Sequence, residues 1–178
     1  MYNHYNYNNN IPIIMSYNTP YESVREFHEV FEHPTNDTPQ TTIFDDKPDL
    51  VKLRIALIDE EFNEFKEACH NKDMTESLDA LADMMYVIAG AAHAFGVNLD
   101  EAFARVHQSN MTKACKNEQD AIDTVEYIKQ TQPRYNPTYK QSKDGKYWIV
   151  YDAISGKILK NKYYQAVSLG DLCNAHAN

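Results

Sequence analysis

Apolar residues fall at helical spacing through most of the chain. Leu50, Leu53, Leu57, Phe62 and Phe65 lie three to five positions apart and predict a helix from about Asp49 to Asn71. The stretch ESLDALADMMYVIAGAAHAF, residues 76–95, is apolar around most of a helix circumference. It predicts a third helix buried among others or at a subunit interface, with Thr75 as N-cap and Gly96 as its stop. A helix is expected from behind Asn98 to about Lys113, and another over 118–131. Ahead of these, Val24, Phe27, His28 and Phe31 mark a short first helix. Pro34, Pro39 and Pro48 make residues 33–48 read as a linker without helix. Beyond Pro133 and Pro137 the pattern changes. KYWIVYDAISGKILKNKYY sets aromatic and β-branched residues on both sides of Ser155-Gly156, which predicts a small β-hairpin turning there. The expected fold is all-α, a four- to five-helix bundle over 21–132, with a C-terminal β-hairpin appendage over 133–178. Residues 1–20, rich in Asn and Tyr, read as a loosely ordered tail.

Charge divides the chain the same way. The 178 residues carry a net charge of −9. From Arg134 to Lys162 there are seven Lys/Arg and two Asp, a balance of +5 that leaves −14 for the rest. An acidic body argues against general nucleic-acid binding, which needs a basic surface to neutralise phosphates. Cys69, Cys115 and Cys173 are odd in number and form no C-x-x-C pair, so neither a disulfide framework nor a zinc ribbon is expected and a reducing compartment fits. No signal peptide or membrane span is read from the sequence, and a cytoplasmic protein, host-cytoplasmic if viral, is the expectation.

The acids have a pattern of their own. DEEFNEFKEA, residues 59–68, holds five acids and one base. At about 100° per residue, Glu60, Glu64 and Glu67 share a stripe, with Glu61 one step round. Glu76, Asp79 and Asp83 make a second stripe at i, i+3 and i+7 on the next helix. A solvated acidic face normally carries Lys or Arg three or four residues away. Lys66 falls by Phe62 instead, and residues 73–104 contain no Lys or Arg. Two antiparallel stripes facing each other would form either a divalent-cation site or a solvated, proton-sharing cluster. For a cation, an all-carboxylate set suits Mg²⁺, with Mn²⁺ able to substitute. Zinc would want His or Cys at close spacing. A di-iron bundle would want two Glu-x-x-His motifs, and only Glu67-Ala-Cys-His70 is present, with His70 reading as a C-terminal helix cap. Arg54 reads as an ion-pair partner along the acidic helix, with phosphate binding as the lesser alternative.

LRIALIDEEFNEF, ESLDALADMMYVIAGAAHAFGVNLDEAFARVHQSNMTK and the spacing between them resemble the all-α NTP pyrophosphatase superfamily, the MazG-like and phosphoribosyl-ATP pyrophosphohydrolase-like group. The similarity runs from about Val24 to Lys129, and the hairpin resembles that of phage- and virus-type members. The family pattern, E-x-x-E then E-x-x-D, matches Glu61-Phe-Asn-Glu64 and Glu76-Ser-Leu-Asp79. A shifted register, with the key Asp before Met84-Met85-Tyr86, uses Asp79 and Asp83 instead. The resemblance implies Mg²⁺-dependent hydrolysis of a nucleoside triphosphate to a monophosphate and pyrophosphate. It implies metal ligands among Glu61, Glu64, Asp79, Asp83, Glu60 and Glu76, with Glu60 or Glu61 taking the proton of the attacking water. Asn110 and Lys113 would contact substrate, and Lys157 and Lys160 of the hairpin would approach the phosphates or a partner subunit. A homodimer or dimer of dimers is expected, with no nucleic-acid or membrane partner. Competing readings are a hydrolase of another pyrophosphate-bearing nucleotide, such as a phosphoribosyl-nucleotide or an alarmone, and a non-catalytic helical interaction module.

Overall fold

A computed structural model describes residues 18–174 of the chain. The described residues form six helices and a two-stranded antiparallel sheet, consistent with an all-α MazG-like fold carrying a small C-terminal hairpin. They divide into two compact units, one of residues up to 35 with 49–94, the other of 36–48 with 95 onward. The expected tail lies outside the described residues up to position 17.

The first unit is built from α1 (Pro20–Val30), α3 (Pro48–Asn71) and α4 (Met74–Phe95). Helix α1 starts on a capping box, in which Thr19 accepts from the Glu22 backbone and Glu22 accepts from that of Thr19. α3 ends where Lys72 enters the left-handed region at φ 58° and the Asp73 N–H reaches back to the Ala68 carbonyl. The same Asp73 then caps α4, its Oδ1 accepting from the Thr75 and Glu76 backbones at 3.0 and 3.1 Å. Thr75, the expected cap, is therefore already in the first turn, because Asp73 is better placed to meet two free N–H groups. Reversing direction within three residues makes α3 and α4 an antiparallel pair. The Cys69 and Ser77 side chains meet near the turn, and Arg54 meets Gly90 at the far end. α1 runs back along α4, with Tyr21 stacked on His93 at 3.9 Å and Phe27 edge-on to Tyr86.

α4 is long and apolar enough to cross a membrane by length and composition, contrary to the expectation that no segment would be. It also carries Asp79 and Asp83, and a carboxylate in hydrocarbon costs several kcal/mol unless it faces protein or water.

In the second unit, α2 (Ile43–Asp46) corrects the expectation that 33–48 holds no helix: one turn fits between Pro39 and Pro48, anchored by buried Ile43. Gly96 adopts φ +71°, where a Cβ would stand 1.9 Å from the Thr38 carbonyl oxygen. Asn98 caps α5 (Leu99–Met111) and Asn117 caps α6 (Glu118–Thr131), each accepting from the backbone three residues on. Strands β1 (Pro137–Gln141) and β2 (Trp148–Asp152) pair with Tyr139 opposite Val150. The chain turns there at 142–147, a turn the sequence reading did not single out. It turns again at Ser155-Gly156 as expected, where Tyr151 bridges Ile158 antiparallel and backbone hydrogen bonds of 2.9 Å run from Asp152 to Lys157 and from Leu159 to Val150. Buried Asp152 holds this second turn, its Oδ2 accepting from the Ser155 N–H at 3.0 Å. β2 is also tied to Cys115, through paired backbone hydrogen bonds with Trp148 of 2.8 and 2.9 Å. Val150 and Leu159 share one core with Cys115, Ala121, Val125 and Ile128, so the hairpin is continuous with α6. The expected boundary at 132/133 would cut through that core.

Candidate functional site

The α3–α4 register decides which carboxylates meet. With Arg54 opposite Gly90 and Cys69 opposite Ser77, the acids of the two helices fall across from each other. Glu61 is the one most enclosed. Its Oε2 is buried and has no hydrogen-bond partner. Burial first, then the charges of Glu64, Asp83, Glu60 and Asp79, push its carboxyl above the ordinary glutamate range. Four acids from two helices thus act on one carboxyl, and among the described residues no base pairs with it. The ion pairs among the described residues lie elsewhere, at Arg25–Glu29, Lys52–Asp49, Arg105–Glu101, Arg105–Asp171 and Lys146–Asp144.

Toward the hairpin turn, an open cleft of about 330 Å³ is lined by Glu64, Glu67, Asp73, Glu76 and Asp79. Glu64 and Asp79 belong to both groupings, the field around Glu61 and the cleft. Asp83 belongs to the first and Glu76 to the second, so the structure accommodates both sequence registers. Sequence reasoning did not single out Asp73, although an Asp between two helices is a recognisable cap signal. The third helix, expected to be buried among others or at a subunit interface, is covered only in part. Asp79 and Asp83 are exposed, and so are Leu78, Leu81 and Met85 beside them. Among the described residues no three His, Cys, Asp or Glu side chains stand close enough together to hold an ion as they are.

The remaining expected residues fall as follows. Asn110 and Lys113 belong to the other unit, where Lys113 Nζ donates to Asn110 Oδ1 at 2.7 Å. Lys66 sits over the Phe62 ring at 4.7 Å and so leaves Glu60 and Glu64 unpaired. Lys157 donates to the Tyr135 hydroxyl at 3.1 Å, and Lys160 lies over the Tyr164 ring at 4.4 Å, so both lysines are engaged by tyrosines of their own unit. Trp148 meets Tyr139 edge-on and packs on the hairpin core. Arg54 is not an ion-pair partner. It is buried between α1 and α4, and among the described residues no acid pairs with it.

The chain belongs to the MazG-like NTP pyrophosphohydrolase superfamily. The family model for phosphoribosyl-ATP pyrophosphohydrolase matches residues 24–110, which include both acidic stripes. Among its relatives is an uncharacterized protein of Acanthamoeba polyphaga mimivirus, 30% identical over 240 aligned positions that take in 86% of this chain and 95% of the relative. The chain is thus a viral-type member of a superfamily of nucleotide pyrophosphohydrolases.

Proposed function

We propose that the protein is a Mg²⁺-dependent nucleoside triphosphate pyrophosphohydrolase that releases a nucleoside monophosphate and pyrophosphate. The observation that carries this reading is Glu61: a buried carboxylate oxygen without a partner, inside a set of five acids that lacks any base. Such a donor set, all oxygen and all anionic, fits a hard divalent cation. Glu61, Glu64, Asp79 and Asp83 would hold it, with Glu76 at the cleft end. Bound there, Mg²⁺ or Mn²⁺ would neutralise phosphate oxygens and acidify water. The chain's own part is to hold the carboxylates on two rigid helices and to supply a base. Glu60 is exposed and next in sequence to Glu61, which suits it to take the proton of the attacking water. The water oxygen bonds to the α phosphorus, the bond from that phosphorus to the α–β bridging oxygen breaks, and the bridging oxygen leaves with pyrophosphate. Asn110 and Lys113 serve in this reading as substrate contacts.

The same reading assigns a second copy of the chain as partner. Leu78, Leu81 and Met85 are 68%, 45% and 55% exposed on the helix that bears the acids, and a homodimer would cover them.

The test is a panel of ribo- and deoxyribonucleoside triphosphates together with phosphoribosyl-ATP, each with Mg²⁺, Mn²⁺ or EDTA, scored for pyrophosphate and orthophosphate. Metal-dependent pyrophosphate from a triphosphate is the expected result. Turnover of phosphoribosyl-ATP alone would move the substrate to the one the family is named for. Orthophosphate alone would place the cleavage at the wrong bond, and no product at all would favour a non-catalytic helical module.

A further inference from the structure

Arg54 is a cation in a place that gives it nothing to bind. It projects from α3 toward Gly90 of α4 under His28 of α1, and only 5% of its surface is exposed. Its Nε and Nη2 are buried without a hydrogen-bond partner. Those two nitrogens carry the parallel N–H bonds on one edge of the guanidinium, the fork that takes two oxygens of a carboxylate or phosphate. Gly90 makes the room: a Cβ there would stand 2.9 Å from His28 Nε2 and 3.2 Å from Arg54 Nη1. His28 and Gly90 lie beside it, and among the described residues no carboxylate forms an ion pair with it. His28 donates from Nδ1 to the Pro34 carbonyl at 2.9 Å, and His93 donates from Nε2 to the Tyr21 carbonyl at 2.7 Å. The buried Nδ1 of His93 likewise has no partner. A buried guanidinium with no counter-charge destabilises a fold, and an apolar residue of similar volume would pack there at less cost.

We propose that the Nε/Nη2 edge of Arg54 is an oxyanion subsite and that its ligand is a phosphate group of the nucleotide. The identity of that ligand rests on the hydrolase reading above; the subsite itself does not. Arg54 lies seven residues before Glu61 on the same face of α3, roughly 10 Å along the helix axis. One helix face would thus present a cation for phosphate at one end and carboxylates for metal at the other. Because both nitrogens are covered, occupancy requires α1 to shift. α1 is a single short helix, and Val30 in its last turn and Phe31 just after it are exposed.

The test uses the full chain and two probes. Inorganic tripolyphosphate with Mg²⁺ is titrated by calorimetry into the wild type, Arg54→Met and Arg54→Lys. A tenfold to hundredfold loss in Arg54→Met, about what one charge-assisted pair contributes, with partial recovery in Arg54→Lys, is expected. Inorganic phosphate without metal is then added while the His28 ring is followed by NMR. An anion on the Arg54 fork raises the pH at which His28 titrates. Equal tripolyphosphate affinity in wild type and Arg54→Met, or a His28 titration unmoved by phosphate in the wild type, overturns the proposal; the second readout decides if Arg54→Met does not fold. A phosphate-shifted His28 in a protein that hydrolyses no nucleotide keeps the subsite and removes the hydrolase reading. Hydrolysis with an unchanged KM in Arg54→Met and an unmoved His28 does the reverse.

Discussion

Glu61 connects stability to function at a single carboxyl. Its folded-state pKa is raised above the ordinary 4.5, so the folded chain holds this proton more tightly than the unfolded chain does. The stabilisation is therefore complete below that value and is lost as pH rises through the raised one. At neutral pH, without metal, the Glu61 charge opposes folding. Glu61→Gln should then raise the Tm in EDTA at pH 7, with the gain vanishing near about pH 4. The same variant should lower metal-dependent turnover about a thousandfold, the several kcal/mol that a cation site supplies. A Glu61→Gln protein that melts no higher than wild type would mean that the buried oxygen is not under strain.

His28 works in the opposite sense. Burial first, and then Arg54, His93 and His33, hold its pKa below 6.5 despite the Pro34 hydrogen bond. Stability is complete above about pH 6.5 and falls as pH drops through the lowered value, because the unfolded chain takes the proton first. Urea unfolding at pH 7.5, 6 and 5 should show this decline, and His28→Gln should flatten it. No shift in slope between the two proteins would remove His28 as the cause.

At the scale of elements, two glycines set how closely the helices approach. Gly96→Ala places a methyl group into the Thr38 carbonyl and strains a left-handed residue, which should cost about 3 kcal/mol or more. Gly90→Ala meets the His28 ring and the end of Arg54, which can give way, and should cost about 1–2 kcal/mol. Urea-unfolding free energies rank the pair. The C-terminal segment is clamped to α5 by Arg105, whose Nη1 lies 2.7 Å from both Asp171 oxygens, and by Ser109, which donates to the Gln165 carbonyl at 2.7 Å. Arg105→Ala should release residues 165–174 to limited proteolysis while the body of the chain stays intact.

The elements are also where sequence and structure can best be compared. Helix limits were legible because caps are local: Asn98 and Asn117 accept from backbone groups three residues away. The two acidic stripes were legible because a carboxylate pair on one helix face needs only the helical period. Which acid is buried was not legible. Glu61 and Glu60 are neighbours in sequence, and only the packing of α3 on α4 separates them. The turn at Ser155-Gly156 was legible because its signal is local, whereas the β1–β2 pairing ahead of it was not, since β2 is held there by Cys115 and the α6 core, far away in sequence. Arg54 was read as an ion-pair partner because acids follow it in sequence. Its surroundings are set instead by α1 and by the absence of a side chain at Gly90.

For the whole molecule, the question is what covers the other side of α4. Leu78, Leu81, Met85 and Ile88 run along it at helical spacing, and Leu53, Ile55 and Phe62 of α3 are also substantially exposed. Soluble monomers rarely leave so continuous an apolar stripe in water. A membrane would cover it, but a spanning α4 would carry Asp79 and Asp83, with the acids of α3 beside them, to bilayer depth at several kcal/mol each. A second copy covers it without that cost, since an isologous contact sets α4 against α4 and leaves the acid-bearing side to the α3–α4 pair. Sedimentation equilibrium should therefore give twice the mass of the 20.6 kDa chain. Leu78→Asp with Met85→Lys should shift it to monomer or to insoluble protein, whereas Phe103→Ser on α5 should leave the mass unchanged. If the wild type sediments as a monomer and also fails to bind liposomes, the stripe belongs to a different protein partner, and the acidic site must be complete within one chain.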